Sequence, residues 1–249
     1  MNEKSSPALR RIFYTRNAGF TLIELAISMF IIALLLGSIL VPLATQVEQR
    51  QISETQKKQE EIKDALTGFA VANGYLPCPA ISASNGLEDR TAGACTASKR
   101  QGFLPWQTLG VSKLDAWGHI YRYSVTLAFA SATTPFTLST PPDITIKTRD
   151  SAGALVNLSN VNGIPVVVLS HGRNGYGSTD NQGTVAALPT GWPANNPDEN
   201  TNASGSTTFV SRTAQGAGST GTGGEFDDLV IWQAQYVLLN RMVAAGKLP

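Results

Sequence analysis

From Phe20 to Val47 the chain carries a single charge, Glu24. Within it, Leu25 to Leu43 reads LAISMFIIALLLGSILVPL, with no polar stripe. A helix apolar on every side needs lipid or other helices around it. As a helix, Phe20–Leu43 would rise about 36 Å at ~1.5 Å per residue, more than the roughly 30 Å of a bilayer core. Residues 1–19 hold Lys4, Arg10, Arg11 and Arg16 against Glu3; four minus one gives +3, leaving −2 for the rest of a chain whose total is +1. An isolated basic cap stays on the cytoplasmic side of a membrane. The sequence therefore predicts one retained span over 20–45, N-terminus inside and bulk outside. A cleaved secretory signal fits less well, because the apolar region is too long and no small-x-small site follows near Pro42.

The helix is expected to continue beyond the span. Gln46 to Ala72 is polar and free of proline, and Ile62, Ala65, Leu66 and Phe69 fall on one helical face. Asn73-Gly74 is a stop signal. This gives an amphipathic half over 46–74 and an external head over 75–249. With only 15% charged residues and nearly balanced charge, the chain has no basic face for nucleic acid. Two cysteines and two histidines exclude multi-cysteine zinc or iron–sulfur sites. Outside the cytoplasm, Cys78 and Cys95 meet an oxidising compartment, which favours a bridge over two free thiols.

Tyr121, Tyr123, Val125, Leu127 and Phe129 alternate with polar or small residues, the period of a half-buried strand. Further strand candidates are 144–148, 164–170, 207–211 and 228–232, and 235–245 reads as a closing helix with Leu238, Leu239, Met242 and Val243 on its apolar side. The fold class is α+β: a long N-terminal helix packed on a small antiparallel sheet. Residues 189–206 and 213–224, rich in Gly, Ser, Thr, Asn and Pro, read as mobile surface loops. Ser170-His171 lies in no Gly-x-Ser-x-Gly elbow, and neighbours on a strand point to opposite faces, so it does not read as a nucleophile with its base.

Gly19-Phe20-Thr21-Leu22-Ile23-Glu24, set between a basic leader and about 20 apolar residues, strongly resembles the class III signal of type IV pilins and pseudopilins. The resemblance implies a pilin-like fold and a structural rather than enzymatic role. It implies that a membrane prepilin peptidase cuts between Gly19 and Phe20 and N-methylates Phe20. Glu24 would then pair with the N-terminal amine of a neighbouring subunit and set the stagger of an open fibre. The implied partners are that peptidase, other pilin or pseudopilin subunits, an inner-membrane assembly platform and the lipid bilayer.

In the head, Asp115-Ala116-Trp117-Gly118-His119-Ile120-Tyr121 resembles the Asp-Pro-Trp-Gly-x-Pro-Tyr pattern of the major pseudopilin of type II secretion, with Ala116 in place of Pro. Gly172-Arg173-Asn174-Gly175-Tyr176-Gly177 is similar to that family's Gly-x-Asp-Gly-x-x-Gly loop, Asn174 standing where the family has Asp. The later Asp227, Asp228 and Trp232 match an Asp that precedes a strand and Trp. By that resemblance Asn174, Asp227 and Asp228 mark a calcium region, and carboxylates and carbonyls are suitable hard donors. Hydrogen bonding of the two aspartates to backbone amides is the alternative. A type II secretion pseudopilin and a minor type IV pilin both remain open, as does a membrane-anchored periplasmic binding or enzymatic domain.

Overall fold

The computed structural model describes residues 19–159, 163–192, 194–205 and 207–248, and the backbone alone at 37–42. Apart from Gly19, the expected basic leader lies outside the described residues. The chain divides into two compact units, Met1–Glu48 and Gln49–Pro249. Helix α1 (Leu22–Asn73) begins in the first.

There Phe20, Leu22, Ile23, Met29 and Phe30 are 64–90% exposed, so these large apolar side chains lack full cover among the described residues. Among the described residues no helix is long and apolar enough to cross a membrane. The part of the expected span with described side chains, up to Leu36, rises only about 22 Å.

In the second unit α1 presents a ridge of Thr55, Gln59, Ile62, Leu66 and Ala70, each at most 1% exposed. The spacing is almost wholly in fours, the ridge along which helices pack most often. Of the expected face, Ile62 and Leu66 are buried, while Ala65 and Phe69 flank the ridge half-buried. The ridge turns because Ala70, not Phe69, enters the core; Phe69 instead meets Tyr75 edge-on.

A hairpin of β1 (Arg90–Thr91) and β2 (Ala94–Cys95) leads to β3 (Gln101–Phe103) and the short α2 (Trp106–Leu109). Next come β4 (Arg122–Val125), β5 (Thr145–Arg149), β6 (Leu155–Asn157) and β7 (Val166–Ser170). The chain closes with α3 (Pro197–Ala203), β8 (Thr208–Val210), β9 (Leu229–Gln233) and α4 (Gln235–Ala244). The main sheet is antiparallel with order β3-β4-β7-β9. One face packs Tyr123, Val125, Val166 and Val168 on the α1 ridge and on Leu238, Leu239 and Met242 of α4. The other packs Val167 with Val230 and Trp232 against Ile144, Ile146, Ile164 and Phe209. Those belong to or adjoin a second sheet, β6-β5-β8, whose β5–β8 pair is parallel. Burial on both faces explains why β7 reads as an unbroken Val-Val-Val-Leu-Ser.

Three expectations change. The strand expected to reach Phe129 ends at Val125, where the Thr126 hydroxyl donates to Asp143 Oδ1 (2.6 Å) and Leu127–Phe129 forms a 3-10 turn. The stretch 189–206 is not all loop: it contains α3, with Asp198, Glu199 and Asn202 buried. Val243 of the closing helix is exposed rather than on its apolar side.

Cys78 and Cys95 are bonded, with Cα atoms 5.4 Å apart. Beside them Arg90 donates to the carbonyls of Leu76, Gly93 and Ala130 and lies over the Tyr75 ring. A bridge of this loop length contributes about 3 kcal/mol through the unfolded state. Mass spectrometry of unreduced peptides is expected to recover Cys78 and Cys95 linked. Reduction is expected to lower Tm by about 2–4 °C per kcal/mol lost. Recovery of both as alkylatable thiols counts against the bridge and against an external head.

Candidate functional site

The first candidate is the N-terminal turn of α1. Gly19 and Phe20 precede the helix, both exposed, and a Cβ placed on Gly19 would meet nothing within 4 Å. Thr21 and Glu24 form a reciprocal cap. The Thr21 N–H and hydroxyl both donate to Glu24 Oε2 (2.9 and 2.8 Å), and the Glu24 N–H donates to Thr21 Oγ1 (3.3 Å). This is the Thr-x-x-Glu capping box, which satisfies otherwise orphaned helix donors. Thr21 is a partner of Glu24 that the expectation from charge and hydropathy did not single out, although the four-residue pattern was present to find it.

The second candidate lies at the end of the main sheet. Gly172 follows β7 and turns sharply, so that Asn174 comes under Asp227. The Asn174 N–H donates to Asp227 Oδ2 (2.8 Å), and its side-chain amide donates to Glu199 Oε1 (2.9 Å). The Asp227 N–H also donates to Glu199 Oε1 (3.0 Å). Asn202 Nδ2 donates to Asp228 Oδ2 (2.7 Å). Glu199, Asp227 and Asp228 thus present one carboxylate oxygen each within 4.8 Å of one another.

The structure brings the three expected residues together and adds Glu199 from α3. Asn174 does not present its oxygen to the cluster, since Oδ1 accepts from the Tyr176 N–H (3.0 Å); it is a donor to the acids. The signal for Glu199 was legible: Asn196-Pro197-Asp198-Glu199 has a preferred N-cap residue, Pro at N1 and an acidic first turn. Ser170, by contrast, donates to Asp115 Oδ2 (2.7 Å) and accepts from the Gly172 N–H, an arrangement that fixes a loop.

Burial governs the electrostatics. It pushes Glu199 and Asp227 up to about 7, with neighbouring carboxylates adding to the rise, and Asp228 up to about 8. Arg122 and Arg212 oppose the rise at Asp228. His171, fully buried, is held down to about 3 by the same desolvation. Its Nδ1 lies 3.4 Å from Asp228 Oδ1 without alignment as a hydrogen bond. Asp227 Oδ1 and Asp228 Oδ1 have no hydrogen-bond partner among the described residues. Two open carboxylate oxygens beside a third acid fit a hard cation, which would take the place of protons.

The folded-state values of the three acids lie above their unfolded values near 4. Without a cation, the folded state holds protons that the unfolded state has released, so stability falls as pH rises through 7 to 8. His171 acts in the opposite sense only below its unfolded value of about 6.5. Thermal unfolding of the chelator-treated full chain in detergent should therefore show a lower Tm at pH 8 than at pH 6.5. A flat or rising Tm over that interval would contradict the buried, proton-holding state of the cluster.

No curated protein and no solved structure matches the chain. Residues 14–40 match the prokaryotic N-terminal methylation motif. The chain therefore carries, around Gly19, Phe20, Thr21 and Glu24, the prepilin-type signal of type IV pilins and pseudopilins.

Proposed function

We propose that the chain is a structural subunit of a pilus-like fibre, a pseudopilin of a type II secretion system, cut by prepilin peptidase after Gly19 and polymerised through α1. The observation that carries this reading is the methylation motif at 14–40 set on a helix whose large apolar side chains are exposed. An exposed apolar surface of that extent marks an interaction site. Lipid covers it before assembly, and the helices of neighbouring subunits cover it afterwards. The membrane span is 20–45, with the head in the periplasm. Within the head, Glu199, Asp227 and Asp228 hold calcium, and the open oxygens of the two aspartates support this. Calcium at pH 8 then restores the stability that the chelated chain lacks. The Trp117-Gly118 turn and the Asp227-Asp228 pair before β9 favour the pseudopilin over a minor type IV pilin.

Cleavage is tested directly. N-terminal sequencing of membrane-extracted protein should begin at N-methyl-Phe20, and Gly19→Val should leave the leader in place. A start at Met1 or near residue 45 removes the basis of the reading.

Glu24 governs assembly in this proposal. In the monomer its carboxylate faces water or headgroups and caps its own helix. In a fibre it is enclosed and pairs with the Phe20 amine of a neighbour. Removing one partner of a buried pair strands the other, at about 3–5 kcal/mol, whereas losing the cap costs only about 0.5–2 kcal/mol. Glu24→Val is thus expected to leave processing and head folding intact while fibres recovered by shearing fall to background. Normal fibres from this variant refute the pairing.

A further inference from the structure

Parts of the two Gly-, Ser-, Thr-, Asn- and Pro-rich stretches face each other across a groove. Residues drawn from 189–192, 194–197 and 218–225 line a groove of about 620 Å³, within the range of small-molecule sites. Buried ion pairs hold the walls. Arg149 makes a two-point contact with Asp198 (2.8 and 2.6 Å). Arg212 donates to Asp198 (2.6 Å) and to the carbonyl of Gly224 (2.8 Å), tying one wall to the other. Gly223 and Gly224 have φ of +100° and +73°, and a Cβ on either would collide with Asp198 or with the Asn195 carbonyl. The close approach of the walls therefore depends on glycine.

The lining has a defined chemistry. Tyr176 and Trp192 meet at the groove, ring centroids 5.4 Å apart and planes at 67°. Thr190, Asn195 and Thr220 add short neutral donors and acceptors, and Glu225 adds one carboxylate. No Lys, Arg or His lines the groove among the described residues, so nothing there compensates an anion. No Leu, Ile, Val or Met lines it among the described residues either, so it does not suit an acyl chain. Aromatic faces take the C–H face of a sugar ring, while neutral hydroxyls and amides serve its hydroxyl groups both as donors and as acceptors. A single carboxylate supplies a strong acceptor for a pair of them. We propose that this groove binds a neutral oligosaccharide. The site stands apart from the fibre reading and holds whether or not the chain polymerises.

Two sources supply such a ligand: a plain glucan from outside the cell, and the N-acetylated glycan strands of the cell wall. Calorimetric titration of the detergent-solubilised full chain with cellohexaose and with chitohexaose separates them. Saturable binding of one or both is expected at millimolar concentration or below, and the preferred sugar names the source. Trp192→Ala should weaken it about tenfold or more, and Thr220→Trp, which fills the groove from the opposite wall, should abolish it. In the unaltered chain the bound sugar should also protect Trp192 from N-bromosuccinimide, read by peptide mass spectrometry, which needs no substitution. The proposal is overturned if neither sugar binds, if binding leaves Trp192 unprotected, or if tetramethylammonium occupies the groove and the sugars do not.

Discussion

Ile62, Leu66 and Ala70 are the ridge against which the head is built. Each of the two larger side chains contributes about 1.5–3 kcal/mol on full burial, and they meet Tyr123, Val125, Val166 and Val168 of the main sheet in one cluster. The same ridge continues into two polar residues, Thr55 and Gln59, as buried as the apolar ones. Thr55 Oγ1 accepts from the Ala116 N–H (3.1 Å), and Gln59 Nε2 donates to the Leu229 carbonyl (2.7 Å). A net hydrogen bond is worth only about 0.5–1.5 kcal/mol, and the unpartnered Gln59 Oε1 costs about as much or more. The polar part of the ridge therefore adds little stability. What it adds is register: sliding the helix by one turn, about 5.4 Å, would orphan the Ala116 N–H and the Leu229 carbonyl together.

That division explains which parts of the fold could be read in advance. The closing helix, β7, β8 and β9 were legible within a residue or two, because their limits follow from apolar spacing, although Val243 is exposed and in β9 only Gln233 is buried. The Ile62 and Leu66 pair was legible for the same reason. The polar positions 55 and 59 were not, since only the tertiary partners Ala116 and Leu229 make a buried Thr and Gln tolerable. The end of β4 was missed because Phe129 keeps its place in the alternation while the backbone has already turned at Thr126. At the candidate cluster, Asn174, Asp227 and Asp228 were placed by resemblance and do meet, but the third acid, Glu199, sits in a stretch whose Gly, Asn and Pro content suggested a loop. Composition averaged over 189–206 concealed a seven-residue helix that the Asn-Pro-Asp-Glu start would have shown.

The acid cluster is a problem of neutralisation. Glu199 Oε1 accepts two hydrogen bonds and Oε2 one from Asn196 (3.3 Å). Asp227 and Asp228 each use Oδ2 and leave Oδ1 without a partner. Of the two cations that act on Asp228, Arg122 is itself buried and lowered by desolvation, and Arg212 is committed to Asp198 and Gly224. Amides thus reach four of the six carboxylate oxygens but supply no countercharge. Either protons or a cation must make up the difference, and the choice between them is set by pH and by what the solution offers.

At the N-terminal turn of α1 the chemistry runs the opposite way, because Glu24 is exposed and its charge needs no compensation until something covers it. Both contacts from Thr21 fall on Glu24 Oε2. Oε1 accepts no hydrogen bond among the described residues. In the proposed fibre, the cap and an incoming amine would therefore use different oxygens of one carboxylate, and the second would not need to displace the first. This matters energetically. If pairing required the cap to break, the roughly 0.5–2 kcal/mol of the cap would be subtracted from each contact between subunits. With the oxygens divided, the cap would instead hold the carboxylate in one rotamer, so that less side-chain entropy would be lost on the proposed pairing. Thr21 then acts on the proposed assembly through Glu24, as the residue that pre-positions it.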